Sequence, residues 1–489
     1  MRLAIDIGGT FTDLVLEHGN ELLTKKVLTS ISQPELAVIE GVSELLEENN
    51  IKASDIKMII HGTTLATNAV IERKGAKTCF ITTSGFRDVL DIGYESRFDQ
   101  YDILIDKTMS LVPRKHRYVI DERTDVNGSI ITSIDKDQFY NLINKIKNEN
   151  FESIAVGFLH SYANPENEKI LKAFLTNELP DVEVSVSSDV CPEIREYERF
   201  TTTVVNAYIK PLMSNYLKKL DQKLLNSGFN CPLLLMTSGG TLTNISSACN
   251  NPVRLVESGP AGGAILATSI AEDMNLSKVI SFDMGGTTAK ITIIENKKAI
   301  KAREFEVDRK ARFKKGSGYP LRIPVIEMVE IGAGGGSIAR VNKLEQIITG
   351  PDSAGSFPGP ACYSNGGSMP TITDADLVIG KINPDNFAGG KIKLSKQLAD
   401  KAITENIVKF VNIDTNIAAL AISEIVDETM SNAARVHTVE QGHETSNRTL
   451  IAFGGAAPLH IARVAEKLRV SNVIIPTNAS VGSAVGFLK

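Results

Sequence analysis

The chain has 489 residues, of which 42% are hydrophobic, 23% charged and 6% aromatic. This length allows about three structural units, and the composition is that of a folded globular protein, which excludes global disorder. Lysine and arginine total 53 against 58 acidic residues, so the net charge of -5 provides no basic surface for a nucleic-acid partner.

The start of the chain, its apolar runs and its cysteines favour a cytoplasmic protein. Asp6 and the glycines after it interrupt the first apolar run, so no signal peptide is expected there. No segment approaches 18 apolar residues, which predicts no membrane span. The five cysteines have no CxxC spacing, which argues against a disulfide framework and a cysteine zinc site.

Residues 1–190 alternate between strand and helix patterns, which predicts a layered α/β architecture. A β-hairpin is expected at 3–16 around a Gly-Gly turn, and Pro34 then starts an amphipathic helix. A buried strand at 58–60 leads into a loop that begins at His61. Further strands are predicted at 78–82, 153–159 and 182–187, and helices at 136–149 and 165–178.

Residues 191–489 contain longer helices and more glycine. The predicted elements are a helix at 199–226, strand-loop-helix units from 233–236 and from 279–282, a helix at 415–438 and a strand at 450–453. The first helix is expected to bend or break at Pro211. The segment 332–370 is rich in glycine, serine and proline beside charged and aromatic residues, which indicates loops that line a site.

The sequence contains an internal repeat. Asp6-Ile-Gly-Gly-Thr-Phe-Thr-Asp13 recurs 277 residues later as Asp283-Met-Gly-Gly-Thr-Thr-Ala-Lys290, with a short apolar strand on each side of each copy. Glycines let backbone N–H groups approach phosphate oxygens, threonines add donors, and the leading aspartates can hold Mg²⁺. A single copy is equally well explained by a tight hairpin turn. Two copies predict a phosphate site formed by Gly8, Gly9, Thr10, Thr12, Gly285, Gly286, Thr287 and Thr288.

A third glycine element follows the strand at 450–453. Gly454 and Gly455 stand where a strand passes into a helix, which suits the close approach of an adenine or ribose. Any packing turn between a strand and a helix has the same pattern. Together with the two hairpins, the element completes the order phosphate, phosphate, adenosine.

This order resembles the nucleotide site of the superfamily that contains actin, the heat-shock chaperone ATPases and sugar kinases. Within it, the chain resembles the hydantoinase A/5-oxoprolinase family. The motifs that carry the resemblance include DIGGTFTD (6–13), HGTTLATNAVIERKGAKT (61–78), EIREYERFTTTVVNAYIKPL (193–212), VESGPAGG (256–263), FDMGGTTAK (282–290), EIGAGGGSIARV (330–341), TDADLVIG (373–380) and FGGAAPLH (453–460). The resemblance implies two ribonuclease-H-like lobes that close on ATP and activate a cyclic amide, imide or related carbonyl.

The chain departs from the family pattern in two respects. Relatives usually end the second hairpin with Asp, as this chain ends the first at Asp13, but here the position is Lys290. A carboxylate could assist a metal or water at the phosphates, whereas a lysine can only supply a cation. The chain also stops where long relatives continue, so it is expected to be a naturally short form or half of a split system.

The segment 61–68 contains candidate catalytic and substrate-binding residues. His61 is a candidate general acid or base, and the polar side chains of Thr63, Thr64 and Asn68 could bind a phosphorylated intermediate. The alternative is a helix cap formed by one threonine beside a hydrogen-bonded loop histidine.

The charge run at 195–199 is a second candidate. Such a run is ordinarily a solvated helix face. Its counterpart in the family is equally dense, so the resemblance adds the alternative that Arg195 or Tyr197 reaches the substrate.

Two later motifs have alternatives of the same kind. Gly334, Gly335 and Gly336 could hold ribose or phosphate through exposed backbone donors, or form a simple flexible loop. Asp374 and Asp376 could coordinate a divalent cation; alternatively, Asp374 and Thr373 cap the helix that follows.

The sequence therefore predicts a two-lobed α/β ATPase with domains at 1–190 and 191–489. ATP and Mg²⁺ are expected in the cleft, with Asp6, Asp13 and Asp283 as its acids. The resemblance implies phosphoryl transfer to the carbonyl oxygen of a hydantoin, 5-oxoproline or lactam, and hydrolysis in an oligomer with a hydantoinase B-type subunit. The rival functions are a small-molecule kinase, an ATP-using ketone carboxylase subunit and a non-catalytic, nucleotide-dependent conformational module.

Overall fold

The computed structural model describes residues 1–30, 33–95, 97–105, 107–310, 315–390 and 392–489. Its strands are β1 Arg2–Ile7, β2 Phe11–His18, β3 Glu21–Leu28, β4 Met58–Thr63, β5 Thr78–Thr83, β6 Arg117–Ile120, β7 Arg123–Thr124, β8 Ile130–Thr132, β9 Ser153–Gly157, β10 Glu183–Val186, β11 Leu233–Met236, β12 Leu242–Asn244, β13 Lys278–Met284, β14 Ala289–Glu295, β15 Lys298–Ala299, β16 Lys301–Ala302, β17 Phe305–Val307, β18 Tyr319–Leu321, β19 Val325–Ile326, β20 Met328–Ile331, β21 Ser337–Val341, β22 Ile347–Ser353, β23 Thr449–Phe453 and β24 Asn472–Ile474. Its helices are α1 Pro34–Glu48, α2 Leu65–Ile71, α3 Val89–Ile92, α4 Lys136–Glu149, α5 Glu166–Glu178, α6 Ser187–Val190, α7 Glu196–Asn226, α8 Ile245–Asn250, α9 Ser258–Asp273, α10 Ile372–Val378, α11 Lys396–Ile403, α12 Lys409–Val411, α13 Thr415–Glu440, α14 Ala457–Leu468 and α15 Gly482–Phe487.

The first sheet has six strands in the order β12-β11-β4-β1-β2-β3. Strands β1, β2 and β3 form an antiparallel meander, and β4 runs parallel to β1 on its other side with β11 beyond it. Strands β11 and β12 lie after residue 190, so this sheet takes strands from both sides of the predicted domain boundary. The division at 190 remains a prediction.

The second sheet repeats this topology. Its order is β15-β14-β13-β23-β24, with β20 added on β14. Strands β13, β14 and β15 form the meander, and β23 and β24 continue in parallel from β13. The repeated motif is therefore part of a repeated sheet, which confirms the two-lobed α/β fold.

Helices α9 and α15 lie between the two sheets and join them. Ile60 of the first sheet and Ile451 of the second belong to one buried cluster together with residues of both helices. The helices touch through their backbones, because a Cβ added to Gly486 would lie 1.8 Å from the carbonyl oxygen of Gly262. Glycine is the residue that permits so close a contact.

A third, all-parallel sheet has the order β10-β9-β5-β6 and packs against α7. This helix has 31 residues and continues through Pro211, so the predicted break does not occur. The carbonyl of Tyr208, one turn before the proline, accepts a hydrogen bond from Ala76 at 2.8 Å. Within the described part of the chain, no helix combines the length and apolar character needed to cross a membrane.

Both predicted strand-loop-helix units are β-hairpins, and for the second one this confirms the hairpin that the repeat predicted. Strand β11 turns into β12, and β13 turns into β14, with antiparallel pairing in each case. In the first, the N–H of Thr237 donates to the carbonyl of Thr241 at 2.8 Å, and Gly240 has a φ of +75°. The Ser-Gly-Gly and Gly-Gly-Thr sequences thus form strand-to-strand turns.

Candidate active site

The two copies of the repeat form two hairpin turns that face each other. In each copy the first glycine, Gly8 or Gly285, donates its N–H to the carbonyl three residues later, at 3.0 and 3.1 Å. A Cβ added to Gly286 would lie 3.1 Å from Thr10 Oγ1. Tight turning explains each hairpin alone, but it does not explain why the two turns meet at one cleft.

The leading aspartates lie at the base of these turns. Asp6 is directly opposite Asp13 in the first hairpin, and Asp283 is opposite Lys290 in the second. The pKa of Asp6 is raised to about 7, mainly by burial and also by the nearby carboxylates of Asp13 and Asp283. The buried Oδ1 of Asp6 has no hydrogen-bond partner among the described residues. This oxygen is therefore open to a cation or a donor from outside the chain.

The other two aspartates have partners within the protein. Asp13 forms an ion pair with Lys26, and Asp283 accepts a hydrogen bond from Ser483 Oγ at 2.9 Å. Burial raises the pKa of both carboxyl groups, and the neighbouring lysines only partly oppose it. Three partly desolvated carboxyl groups thus lie around the two turns.

Lys290 is a fixed cation beside these acids. Its Nζ lies 3.5 Å from Glu330 and 3.8 Å from Glu257, and its side chain is 14% exposed. Burial lowers the pKa of Lys290, but the surrounding acids outweigh that effect and hold it above its ordinary value. The position that the resemblance predicts to be an acid thus holds a charged lysine with acidic partners.

Glu257 is a site residue that the sequence analysis did not single out. It precedes α9 in a left-handed conformation with φ +63°, is 5% exposed and lines the cleft. Burial and Glu330 raise the pKa of Glu257 to about 7. A strained backbone and a buried carboxyl group in a cleft are both common at functional sites. The feature of the sequence that could have indicated this residue is its position directly before Ser258-Gly-Pro, where α9 starts.

The triple glycine packs against the second hairpin. Gly335 and Gly336 donate their N–H groups to the carbonyls of Gly285 and Gly286, at 3.1 and 2.6 Å. A Cβ added to Gly334 would lie 2.5 Å from backbone atoms of the same turn. The predicted exposed donors are thus already in use, and the glycines serve to hold the hairpin from behind.

Gly454 and Gly455 lie at the cleft in different roles. Gly454 has a φ of +86°, and a Cβ there would lie 2.6 Å from Asp283 Oδ1. A Cβ on Gly455 would meet nothing within 4 Å, and this residue opens onto the cleft beside the start of α14. The first glycine is needed for packing and the second leaves space.

His61 lies inside the protein and not at the cleft. Strand β4 continues through Gly62 to Thr63, so the predicted loop is wrong. The ring is fully buried, with Nδ1 3.1 Å from the carbonyl of Ile5 and Nε2 2.8 Å from the hydroxyl of Tyr216. Burial lowers the pKa of His61 to about 4. These are the contacts of a neutral core histidine, without access to the cleft for acid–base chemistry.

Thr64 and Asn68 do reach the cleft, from the first turn of α2. Thr64 is the residue that precedes the helix, and its hydroxyl donates to the carbonyl of Ile7 at 3.2 Å. Thr63 is buried below, where its Oγ1 accepts from the N–H of Leu65 at 3.1 Å. Thr64 therefore occupies the N-cap position without a side-chain cap, the hydroxyl of Thr63 binds the first helical N–H instead, and Thr64 and Asn68 remain candidate substrate contacts.

Arg195 and Tyr197 lie away from the cleft, at the start of α7. Tyr197 packs edge to face against Tyr94 with ring centres 5.1 Å apart. The charge run is not a solvated face either, because Arg199 is fully buried and donates to two backbone carbonyls at 2.9 Å. This placement gives no support to a substrate role for Arg195 or Tyr197.

Asp374 is a cap of α10. Its carboxylate accepts from the backbone N–H groups of Thr371 and Cys362, both at 2.8 Å, and Thr371 is the N-cap residue. The capping alternative therefore describes this residue, with Thr371 in place of Thr373.

Asp376 belongs to a buried cluster next to the cleft. His460 lies between two acids, with Nε2 3.1 Å from Asp376 and Nδ1 2.8 Å from Asp427. Burial lowers the pKa of His460, but both acids raise it, and the result is about 9. Among the described residues, no group of three His, Cys, Asp or Glu side chains is arranged to hold a metal.

The cleft has a volume of about 1530 Å³. Ordinary small-molecule sites have roughly 300–1,000 Å³, so the cleft has room for a nucleotide and a second small molecule. The predicted residues that line it are Asp6, Gly8, Gly9, Thr10, Asp13, Thr64, Asn68, Asp283, Gly285, Gly286, Thr287, Thr288, Gly335, Asp376, Gly454 and Gly455. Those outside its lining are Thr12, His61, Thr63, Arg195, Tyr197, Gly334, Gly336 and Asp374.

Comparison with known families accounts for almost all of the chain. The model of the hydantoinase/oxoprolinase N-terminal region matches residues 2–179, and the hydantoinase/oxoprolinase model matches residues 199–489. The chain belongs to the hydantoinase/oxoprolinase family. The family resemblance inferred from the motifs is thereby confirmed.

Two curated family members match nearly the whole chain. An uncharacterized protein of Methanocaldococcus jannaschii is 41% identical over all of this chain and 72% of its own length. Caprolactamase subunit alpha of Pseudomonas jessenii is 33% identical over 98% of this chain and 68% of its own length. Each relative is therefore longer than this chain.

Two solved structures of family members have the same fold. The crystal structure of the ATP-dependent caprolactamase from Pseudomonas jessenii matches with a TM-score of 0.84 at 33% identity, over all of this chain and 70% of that one. Nucleotide-free acetone carboxylase, described as an enzyme of ATP-dependent acetone carboxylation, matches with a TM-score of 0.88 at 26% identity, over 99% and 69%. The cleft described above thus belongs to a fold used by ATP-dependent enzymes.

Proposed function

We propose that this hydantoinase/oxoprolinase family member uses ATP to activate the carbonyl of a cyclic amide or imide for hydrolytic ring opening. The observation that carries the proposal is the meeting of two glycine hairpins at one cleft, with Asp6, Asp283 and Lys290 around them. The proposal is also supported by the fold, which is that of an ATP-dependent caprolactamase.

The proposed position of ATP follows from the glycine elements. The hairpin turns face the phosphates, where backbone N–H groups and the hydroxyls of Thr10 and Thr287 can donate to phosphate oxygens. The adenosine lies near Gly455, where a Cβ would meet no atom within 4 Å and the cleft therefore has space. The substrate then lies on the opposite side, along α2, near Thr64 and Asn68.

Mg²⁺ fits the acids of this cleft. Asp6 has a buried oxygen without a partner among the described residues, and Asp283 lies on the facing hairpin. Mg²⁺ in nucleotide enzymes is commonly bound by one or two carboxylates together with phosphates and water, so a cluster of three protein ligands is not required. A Mg²⁺ ion bound by Asp6 and Asp283 would neutralise part of the phosphate charge.

The chemical problem is the weak electrophilicity of an amide carbonyl. In the proposed reaction the carbonyl oxygen attacks the γ-phosphorus while the bond from phosphorus to ADP breaks. Water then adds to the carbon, the ring C–N bond breaks, and a second water releases phosphate, which leaves a carboxylate and an amine. The protein's part in such a transfer is positioning and charge stabilisation. Glu257, with a pKa of about 7, is the proposed acceptor of the water's proton.

We propose that ring opening takes place in an assembly with a hydantoinase B-type subunit, in the cytoplasm. Two relatives that match 98% and 94% of the chain, caprolactamase subunit alpha and the acetophenone carboxylase gamma subunit, are named as subunits. The ketone carboxylase alternative is less favoured, because identity is 33% over 98% of the chain with caprolactamase subunit alpha, against 30% over 94% with the acetophenone carboxylase gamma subunit and 26% with acetone carboxylase. No contact in the described residues favours the kinase or the non-catalytic module.

An ADP-release assay tests the proposal. The purified chain, alone and with its B-type partner, is given ATP, Mg²⁺ and each member of a panel of lactams, hydantoins and ketones. We expect ADP formation that depends on a cyclic amide, with ring-opened product only in the assembly. ADP formation that depends on ketones and bicarbonate, or on no panel member, would refute the proposed function.

A further inference from the structure

The cleft carries an excess of negative charge. Among the described residues that line it, ten are acidic and five are basic. The acids include Asp6, Asp13 and Asp283 at the hairpins, and Glu257 and Glu330 around Lys290. Bound ATP adds the further negative charge of its phosphates.

Every cation of the described lining already has an acidic partner. The pairs are Lys25 with Glu44 and Glu48, both at 2.6 Å, Lys26 with Asp13, Lys74 with Glu72 at 2.7 Å, Lys290 with Glu330 and Glu257 at 3.5 and 3.8 Å, and Arg309 with Glu306 at 3.2 Å. The most exposed of these, Lys74, is 71% exposed, so water and salt screen its charge. A substrate carboxylate would have to replace a protein carboxylate to gain a salt bridge here.

The positive end of α9 is also matched by acids. A Cβ added to Gly259, in the first turn of this helix, would lie 2.9 Å from Asp6 Oδ1. Glu257 directly precedes the helix and lines the cleft. Helix N-termini attract negative charge, and here protein carboxylates and the proposed phosphates already supply it.

Helix α2, on the proposed substrate side, presents uncharged and partly apolar side chains to the cleft, and the ion pair of Glu72 and Lys74 follows directly after it. Thr64, Thr67 and Asn68 supply hydroxyl and amide groups from α2, and Leu65 and Ile71 of the same helix line the cleft beside them. Such a wall can hydrogen-bond a neutral amide and pack against its ring methylenes.

We infer that the substrate is an uncharged cyclic amide or imide and that the cleft selects against rings that carry a carboxylate. The inference rests on the proposed function and concerns the same site. A carboxylate on the ring would enter a region of net negative potential, next to the phosphates it must approach, without an unpaired cation in the described lining to receive it.

Matched substrate pairs test the inference. 5-Oxoproline and 5-oxoprolinamide have the same ring and nearly the same size, and they differ in the charge of one group; hydantoin-5-acetic acid and hydantoin-5-acetamide form a second pair. With the chain and its B-type partner, kcat/KM for ADP formation should be at least about tenfold higher for the amide of each pair, a difference of about 1.4 kcal/mol.

The outcomes separate the inference from the proposed function. Equal rates within a pair, or faster turnover of the acid, overturn the inference and leave ATP-dependent amide activation intact. If no neutral or charged cyclic amide stimulates ADP formation, the proposed function fails and the inference fails with it.

Glu330→Gln tests whether the pairing of Lys290 sets the selection. Glu330 is 34% exposed, so the isosteric change should leave folding intact, and it frees Lys290 from its nearest acid. We expect the amide-to-acid ratio of kcat/KM to fall at least about threefold, mainly through a lower KM for the acid. Glu272→Gln, an exposed change at the far end of α9, is the matched control. The same ratio in Glu330→Gln as in wild type would contradict this assignment.

Discussion

Lys290→Met should destabilise the protein and weaken ATP binding. The lysine side chain is 14% exposed, and its Nζ lies 3.5 Å from Glu330 and 3.8 Å from Glu257. Asp283 and Asp6 are further acids whose charge it offsets. Methionine keeps an unbranched side chain but removes the cation, so these acids lose their common partner.

The distances give the size of the effect. One pair of unit charges at such a distance is worth about 4 kcal/mol at an effective dielectric constant of about 20. The cost of desolvating the lysine reduces this, and removal of one partner from a buried ion pair costs about 3–5 kcal/mol. Glu257 has a pKa of about 7 even with Lys290 present, so in the variant it takes up a proton at neutral pH. The loss of stability should therefore be smaller at pH 7 and grow as the pH rises and Glu257 ionises.

Urea unfolding at about pH 7 and about pH 9, with isothermal titration of ATP, measures both effects. ATP affinity should fall at least about tenfold, or about 1.4 kcal/mol, since without this cation the charges of Asp6, Asp283 and Glu330 repel the phosphates. Lys298→Met, an exposed change on β15 of the same sheet, should stay within about 0.5 kcal/mol of wild type. Wild-type unfolding and wild-type ATP affinity in Lys290→Met would refute the reasoning.

Asp6→Asn should weaken Mg·ATP binding and flatten its pH dependence; in wild type, affinity should rise through about pH 7 as Asp6 ionises, and isothermal titration at several pH values checks this. Gly334→Ala places a Cβ 2.5 Å from backbone atoms of the second hairpin, so it should lower the free energy of unfolding in urea by about 1–3 kcal/mol. In Gly455→Ala the added Cβ meets nothing within 4 Å, so without nucleotide this variant should have nearly the wild-type free energy of unfolding. The pKa of His460 is raised from 6.5 to about 9, so its contribution to stability is complete below about pH 6.5 and is lost as the pH rises through 9; the decline should be absent in His460→Gln.

The parts of the site that sequence reasoning located are those set by local backbone demands. The Gly-Gly turns at Gly8 and Gly285 require an apolar strand on each side, so their pattern reveals both the hairpins and the repeat. Two equal patterns in one chain then predict two equal sheets, and strands β1–β3 and β13–β15 confirm this.

The parts that it misplaced depend on neighbours that are distant in sequence. His61 has the residue type of an acid–base catalyst, but its Nε2 is hydrogen-bonded to the hydroxyl of Tyr216, which lies 155 residues later in the sequence. The N–H groups of the triple glycine bind the hairpin at Gly285, about 50 residues before it. Glu257 is identified as a site residue by its left-handed backbone and its burial against Lys290, and neither feature can be seen in a local sequence pattern.

The contact between α9 and α15 has a consequence for how this protein is made. The core shared by the two sheets includes residues 258–273 and residues 482–487. One face of the first sheet is therefore fully buried only by a helix that is translated more than 400 residues after the first strand of that sheet. Chains are synthesised at about 5–20 residues per second, and an apolar surface that stays open during that time is prone to aggregate. The nascent first lobe should therefore remain a client of ribosome-associated chaperones until the residues around Gly486 have left the exit tunnel.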